Sequence, residues 1–355
     1  MSVKLHGVAN VAQLDEFDEV IDARSPAEYA EDHLPRAVSC PVLDDEQRAR
    51  VGTLYKQASP FAAKKLGAVL VARNIAGHIE RLFLDKPRDW RPLVYCWRGG
   101  QRSGAFSHIL RQIGWDAQRL EGGYKAWRKH VHAQLGSLPL RFDYRVVSGA
   151  TGSGKSRLLE ALAAQGAQIL HLEEIAAHKG SVLGGLPDAP QPSQKMFESR
   201  LLAALTAFDA QRPVFVEAES RRIGGVQLPD ALLAMIRAAP SLRVEATQAS
   251  RVEFLLRDYA YFLADPHWLL GKLEHLRGLQ SNETLARWTA LVAAGEFPAL
   301  VGELLELHYD PLYQRSQTRN YAGFDAAARF ATGDLSPAGI ERLARDILAR
   351  TCSSN

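Results

Sequence analysis

Cysteine is scarce in this chain, with three among 355 residues, at Cys40, Cys96 and Cys352. They lie far apart, are odd in number and show no metal-ligand spacing, which argues against a disulfide framework and points to a reducing cytoplasm. Long apolar runs are missing too. No stretch reaches membrane-spanning length and the opening MSVKLHGVAN has no signal-peptide core, so no membrane partner is expected. Neither sign of charge dominates. The 43 Lys and Arg against 40 Asp and Glu leave +3, which permits a polyanionic partner without demanding one. Internal repeats and low-complexity tracts are absent. What remains is an ordinary globular composition, 46% hydrophobic and 23% charged, in a chain long enough for two domains with real cores.

Two loops stand out. Cys96-Trp-Arg-Gly-Gly-Gln-Arg102-Ser103 follows the apolar run Pro92 to Tyr95. Gly149-Ala-Thr-Gly-Ser-Gly154-Lys155-Ser156 is a full G-x-x-x-x-G-K-S phosphate loop. Each is built to hold an anion at the start of a helix, and together they point to one enzyme joining thiol chemistry to a phosphorylated substrate.

The periodicity around them reads as α/β. Glu19 to Asp22 is a strand end, and Ser25-Pro26-Ala-Glu28 opens a helix with a capping box. Ser103 to Ile113 is helical and stops at Gly114. Ala117 to Leu120 is a short strand, and Tyr124 to His130 a helix after Gly122-Gly123. The pattern lapses from His132 to Arg141, which places a domain over 1–135, a linker over 136–142 and a second domain over 143–355. There, Tyr144 to Ser148 feeds the phosphate loop and Lys155 to Ala164 is the helix behind it. Gln168 to Leu172, Val214 to Glu217 and Leu242 to Ala246 are further strands of a largely parallel sheet. His178 to Ser193, rich in Gly, Pro and Ser, reads as a lid or binding loop. The last hundred residues read as helical, with a capping box at Ser250-Arg-Val-Glu253 and an amphipathic helix over Asn282 to Ala294.

A thiol at a strand-to-helix turn sits over converging backbone N–H groups, and Arg98 and Arg102 add positive charge that favours the thiolate. Such a thiolate can accept a sulfur-like atom or attack phosphorus. Cys40, beside Pro41, reads as a buried structural residue, and Cys352 in the polar tail Thr351 to Asn355 as inert. In the second loop, the amides of Gly149, Thr151, Gly152, Ser153, Gly154 and Lys155 would wrap a phosphate. Lys155 would reach its outer oxygens, and Ser156 is placed to ligate Mg²⁺. Nucleotide hydrolases end the neighbouring strand in Asp. Here Pro213-Val-Phe-Val-Glu217-Ala-Glu219 ends in Glu, so Glu173, Glu217 and Glu219 are expected as supporting acids at the carboxyl ends of strands.

The segments Asp22-Ala-Arg24-Ser-Pro-Ala-Glu28, His33-Leu-Pro35 and Leu120-Glu-Gly-Gly-Tyr124-Lys-Ala-Trp127 resemble the markers of rhodanese domains, in their usual order around the active Cys. The C-x5-R spacing from Cys96 to Arg102 is longer than in most rhodanese loops and is shared with dual-specificity phosphatases of rhodanese-like fold. Beyond that domain, the whole chain resembles the bacterial tRNA 2-selenouridine synthase family, a rhodanese-like domain followed by an NTPase-like phosphate-loop domain with a helical C-terminal part. The resemblance rests on Cys96-Trp97-Arg98-Gly99-Gly100, on Gly52-Thr-Leu-Tyr55-Lys56-Gln57 with Lys64-Lys65-Leu66-Gly67, and on the phosphate loop. It continues through His178-Lys-Gly180-Ser181, Gln191-Pro-Ser-Gln194 and Glu217-Ala-Glu219-Ser220-Arg221-Arg222. His171 and Glu174 depart from the family pattern.

That resemblance implies replacement of the sulfur of wobble 2-thiouridine in tRNA by selenium from selenophosphate, through an S-geranyl intermediate made from geranyl diphosphate. Alkylating the sulfur makes C2 electrophilic and lets a thiol depart. The phosphate loop would hold the diphosphate, with Lys155 stabilising the departing anion, and Cys96 would carry selenium as a persulfide-like S–Se species. The implied partners are tRNA and the enzyme supplying selenophosphate, with the chain acting as a monomer. Lys56, Lys64, Lys65, Arg73, Arg128, Lys129, Arg221 and Arg222 are candidate backbone contacts, and Tyr55 and Trp97 candidates to stack a flipped base. Two alternatives stay open, an ATP-dependent tRNA sulfurtransferase and a C-x5-R phosphatase fused to a phosphate-loop regulatory domain.

Overall fold

The computed structural model describes residues 7–187, 189–321 and 326–352, with side chains at 316–320 and 352 left aside. The expectation for Cys352 therefore lies outside the described residues. The chain forms two compact units. Among the described residues, no helix is long and apolar enough to cross a membrane.

The first unit comprises residues 1–134 with 195–203. Its strands are β1 (Val8–Ala9), β2 (Glu19–Asp22), β3 (Ala37–Ser39), β4 (Pro92–Tyr95) and β5 (Gln118–Leu120). They pair in parallel in the order β1-β5-β4-β2-β3, with Ile21 opposite Val94. The helices are α1 (Pro26–Glu31), α2 (Asp45–Gln57), α3 (Pro60–His78), α4 (Gln101–Ile113) and α5 (Gly123–Ser137). All four residues of β4 are buried, as a central parallel strand requires. Ile21, Val94, Phe106 and Leu110 pack with Phe83, Trp90 and Trp115 into the core that fixes the turn after β4.

The second unit comprises residues 135–194 and 204–355. It holds a second parallel sheet, built from β6 (Tyr144–Gly149), β7 (Gln168–Leu170), β8 (Val214–Glu217), β11 (Ser241–Ala246) and β12 (Ala328–Thr332), with a small antiparallel hairpin of β9 (Arg222–Ile223) and β10 (Val226–Gln227). The order is β12-β11-β6-β8-β7, with Val147 of β6 between Leu242 of β11 and Glu217 of β8. Helices α6 (Lys155–Ala164), α7 (Leu172–Ala176) and α9 (Asp230–Ala238) lie between β6 and β11, as does α8 (Gln194–Thr206), whose residues 195–203 belong to the first unit, and α10 (Gln248–Asp258) follows β11. After α10 come α11 (Ala260–Ala264), α12 (Pro266–Leu273), α13 (Asn282–Ala294), α14 (Phe297–Leu304), α15 (Asp310–Asn320) and α16 (Pro337–Cys352). Leu158, Leu159 and Leu162 of α6 meet Ile340, Leu343 and Ile347 of α16 in one core. Phe262, Leu269, Trp288, Leu300 and Leu304 form a second, helical one.

Several expectations need correction. The run from His132 to Arg141 keeps its secondary structure, although the two units divide within it at 134/135: α5 continues to Ser137 and a 3₁₀ turn covers Leu138–Arg141. Buried Val131 and Leu135, one helical turn apart, hold α5 together through the weak helix former Gly136. The strand at Gln168 stops at Leu170, and Leu172 already opens α7. Ser250 does not cap α10. The helix begins at Gln248, and the Thr247 hydroxyl accepts the N–H of Ser250 at 3.2 Å. The last hundred residues also contain β12, a strand hidden among helices because its five residues alternate too briefly to stand out.

Candidate active sites

In the first unit, Cys96 sits at the carboxyl end of β4, buried to 3% exposure. The loop around it is shaped by glycine. Gly123 has φ +58, and a Cβ there would stand 2.2 Å from the Cys96 carbonyl oxygen and 2.4 Å from the Gly99 nitrogen. With no side chain, the Gly122-Gly123 turn packs directly on the Cys loop, and the Tyr124 N–H donates to that carbonyl at 2.8 Å. Beneath lies a buried polar base. Arg24 clasps Asp22 at 2.6 Å and reaches the Asp32 carbonyl at 2.6 Å, Tyr95 donates to Asp22 at 2.6 Å, and Tyr124 to Asp32 at 2.8 Å. Of these, Asp22, Arg24 and Tyr124 belong to the Asp22–Glu28 and Leu120–Trp127 segments that the rhodanese resemblance picked out, whereas Asp32 and Tyr95 lie outside them. Cys40 is also buried, and its thiol is pushed up to about 12 by burial and by the Glu19 and Asp22 charges, in keeping with a structural role.

The Cys96 thiol behaves differently. Burial opposes its ionisation, but the Ser103 hydroxyl at 3.2 Å, the N–H groups of Ser103 and Gly100, and the charge of Arg102 together bring it below the ordinary thiol range. Arg102 itself donates to Glu28 at 2.8 Å, and Glu28 also accepts from the Ser25 N–H at 3.1 Å. A phosphatase-type Arg needs its fork for the substrate, whereas this one is held by a carboxylate. Arg98 is exposed. Because Ser103 lowers the thiol, Ser103→Ala is expected to move the midpoint for alkylation of Cys96 by iodoacetamide to higher pH, with a maximal rate close to the native one. Rate–pH profiles of the two enzymes check this, and coincident midpoints would remove Ser103 from the role.

Lys56, Lys64, Lys65, Arg73 and Lys129 are exposed, as is Tyr55 at 55%. Trp97 is half-buried with its ring 5.3 Å from that of Tyr124. Arg128 is a correction: it is buried, paired with Glu198 and with Asp32 at 3.2 Å, and donates to the Lys195 carbonyl at 3.0 Å. A guanidinium with that many partners is a packing element of this unit, not an RNA contact.

In the second unit, the phosphate loop leaves β6 and enters α6. Gly152 and Gly154 adopt φ +81 and +79, the left-handed conformations that turn successive amides inward. Lys155 folds back, donating to the Gly149 carbonyl at 2.9 Å. The Ser156 hydroxyl donates to Glu173 at 2.5 Å, and the Glu173 N–H donates to Glu217 at 2.7 Å. Glu217 ends β8 fully buried and also meets the His171 ring nitrogen at 3.3 Å. The three acids expected beside the loop are thus brought together there. Burial and then the Glu217 charge raise Glu173. Burial, Glu173 and Glu217 hold Glu219 well above the carboxylate range. Among the described residues, no group of three or more His, Cys, Asp or Glu side chains is arranged to hold a metal ion.

A cavity of about 300 Å³ is lined by Lys155, Ser156, Glu173 and Glu219 together with Lys179, Asp258 and Tyr259. It adjoins a smaller apolar slot that shares Thr151, Ser181, Leu255, Tyr259 and Tyr309 with it. Leu183, Phe262, Leu269, Phe297, Leu300 and Leu304 line the slot further in. Of the lid residues expected to line an apolar pocket, Leu183 faces the slot and Val182 the polar cavity, while Leu186 lines neither. The loop is tied down by the Lys179 ion pair with Asp258, and Lys179 lies 4.1 Å above the Tyr259 ring. Most of the slot comes from α10 to α14, which sequence periodicity marked only as helical. Arg251 also escaped notice. Buried in α10, it donates to the Thr151 carbonyl at 2.8 Å and pairs with Asp310 at 2.6 Å, so it braces the phosphate loop. Arg221 pairs with Asp230 at 2.6 Å on the surface and Arg222 is exposed.

Comparison with known proteins agrees with this architecture. Residues 8–130 match the rhodanese-like domain family, and residues 142–272 match the tRNA 2-selenouridine synthase AAA domain. A tRNA 2-selenouridine synthase of Nitrosomonas europaea is 38% identical over 262 residues, 73% of this chain and 66% of that one, so the chain spans just under two thirds of that relative's length. One from Aeromonas salmonicida is 32% identical over 83% of this chain and 86% of its own. A third, from Marinobacter nauticus, is 36% identical over 84% of this chain and 88% of its own. With the two domain types in this order and relatives matched along most of their length, the chain belongs to the tRNA 2-selenouridine synthase family.

Proposed function

We propose that this protein converts the wobble 2-thiouridine of tRNA to 2-selenouridine, alkylating the sulfur with geranyl diphosphate and then replacing the S-geranyl group with selenium from selenophosphate. The observation that carries the reading is the apolar slot opening from the phosphate loop. A nucleotide would present a polar ribose and base to that slot, whereas an allylic diphosphate presents a hydrocarbon tail. Its diphosphate would lie on the amides of 149–156, where Lys155 exchanges its own loop carbonyl for the leaving oxygens. Low polarity around the tail and a fixed cation at the diphosphate together favour C–O cleavage. In this scheme Cys96, whose surroundings favour the thiolate, is the selenium carrier, Arg102 stabilising it and Glu28 holding Arg102. The sulfur attacks selenium, so that S–Se forms as Se–P breaks with its electrons on phosphorus and phosphite leaves. The Cys96-bound selenium then displaces geranylthiol from C2, and a small thiol of the reducing compartment cleaves S–Se to free the selenouridine. A separate enzyme supplies the selenophosphate. The free thiols Cys40 and Cys96 are in keeping with a reducing compartment, and we place the reaction in the cytoplasm.

Mass analysis of tRNA nucleosides after incubation with the protein, selenophosphate and geranyl diphosphate tests the whole reading. 2-Selenouridine with transient S-geranyl-2-thiouridine is expected; orthophosphate release from an aryl phosphate without either nucleoside would point to a phosphatase instead. Ligand choice is tested separately. Geranyl diphosphate is expected to raise the melting temperature more than ATP at equal concentration, since a ligand at a hundredfold its dissociation constant stabilises by about 2.7 kcal/mol. Stronger protection by ATP, with steady hydrolysis, would move the chain to an ATP-dependent sulfurtransferase.

A further inference from the structure

Alkylating a 2-thiouracil leaves a proton to be removed. The neutral ring carries N3–H and C2=S, while its S-alkyl product carries C2=N3 and no proton on N3. Unless a base takes that proton, the sulfur must develop as part of a cation in a largely apolar site. A proton acceptor beside the allylic carbon is therefore needed, and the allylic carbon must lie where the slot meets the phosphate cavity.

The Gly180-Ser181 step stands at that junction, since Ser181 lines both spaces. Gly180 has φ +66, and a Cβ on it would stand 2.8 Å from Glu219 Oε1 and 3.0 Å from Glu173 Oε1. Both carboxylates thus converge on one point of the cavity wall. Glu173 is engaged by Ser156 and, through its N–H, by Glu217. Glu219 lies two residues beyond β8, its backbone carbonyl fixed by the Tyr321 hydroxyl at 2.9 Å. The charged and titratable groups that act on it are Glu173 from α7, Glu217 from β8, Lys155 from α6 and Tyr321 after α15.

We propose that Glu219 is the proton acceptor of the alkylation step. A sulfur lone pair forms the new S–C bond, the C–O bond breaks with its electrons leaving on the diphosphate, and the N3–H electrons close C2=N3 as the proton passes to a Glu219 oxygen. Burial, and then crowding by Glu173 and Glu217, make it more basic than a free Glu, which favours it over an ordinary carboxylate as the proton acceptor. This inference rests on the geranylation reading above.

The test is single-turnover geranylation of tRNA bearing 2-thiouridine by the full chain across pH 6 to 9. Glu219→Gln is expected to be slower at pH 7 by on the order of 10²-fold, with a rate that climbs about tenfold per pH unit as hydroxide takes over the proton. Its thermal protection by geranyl diphosphate should match the native enzyme's. Glu219→Asp, which keeps a carboxylate, should recover much of the rate, so a folding defect in the Gln variant does not blur the result. A Gln variant within about threefold of native at pH 7, or a loss equal at every pH, overturns the role of Glu219. If the native chain itself yields no S-geranyl nucleoside, the geranylation reading falls and this inference with it.

Discussion

Replacing Cys96 with alanine is expected to abolish 2-selenouridine formation, by on the order of 10³-fold or more, while S-geranyl-2-thiouridine still forms at close to the native rate and accumulates. The expectation rests on burial and chemistry together. Of the two described cysteines, Cys96 is the one whose surroundings favour the thiolate, whereas the Cys40 thiol is held up by burial and two nearby carboxylates. Removing a covalent carrier leaves only whatever direct transfer the bound substrates manage, which is why losses of this kind are large. The alanine variant should fold, because it deletes a small group at the surface of a core held by Ile21, Val94 and Phe106. Nucleoside mass analysis with both substrates present decides it: native levels of 2-selenouridine from the alanine variant would mean that selenium does not travel on Cys96.

Lys155→Ala gives the complementary result. Geranyl transfer is expected to fall by about 10²- to 10³-fold, the loss found when one preorganised donor to a developing anion is removed. Since this ammonium donates to a loop carbonyl and, among the described residues, joins no distant elements by an ion pair, the fold has little at stake in it. tRNA affinity should hold within about twofold, because binding to a polyanion is spread over many cations and this one is engaged by the diphosphate. Selenation should fall in step with geranylation, as the S-geranyl group is what departs. Filter binding beside single-turnover geranylation separates the outcomes. Parallel loss of tRNA affinity and transfer would mean that Lys155 holds RNA, and an unchanged transfer rate would place the diphosphate elsewhere.

Both loops are legible in the sequence because their chemistry is local. A phosphate loop needs its glycines, Lys and Ser within eight consecutive positions, and β6 and α6 adjoin it directly on either side. The Cys96 loop is equally compact, lying between buried β4 and α4. Glu173, Glu217 and Glu219 were within reach for a related reason: parallel strands bring the residues at their carboxyl ends to one edge of the sheet. The close approach of Glu173 and Glu219 was not, since it depends on how each side chain is packed and on Gly180 leaving them room. Arg128 shows the opposite failure. A Lys-Arg pair in an amphipathic helix reads as surface charge, yet its partners Asp32 and Glu198 come from distant segments that no local pattern connects.

Sequence alone therefore determined the class of each domain, the thiol, the phosphate loop and the acids beside it, because each is written in short runs with fixed spacing. Tertiary structure decided what the phosphate loop is joined to. The slot is walled by Leu183 from the lid loop and by Leu255, Phe262, Leu269, Phe297 and Leu300 from four helices, each of which would read equally well as ordinary core. An apolar side chain looks the same in sequence whether it fills a core or faces a space left for a ligand. Only the packing of those helices against one another leaves that space, and leaves it open onto Lys155.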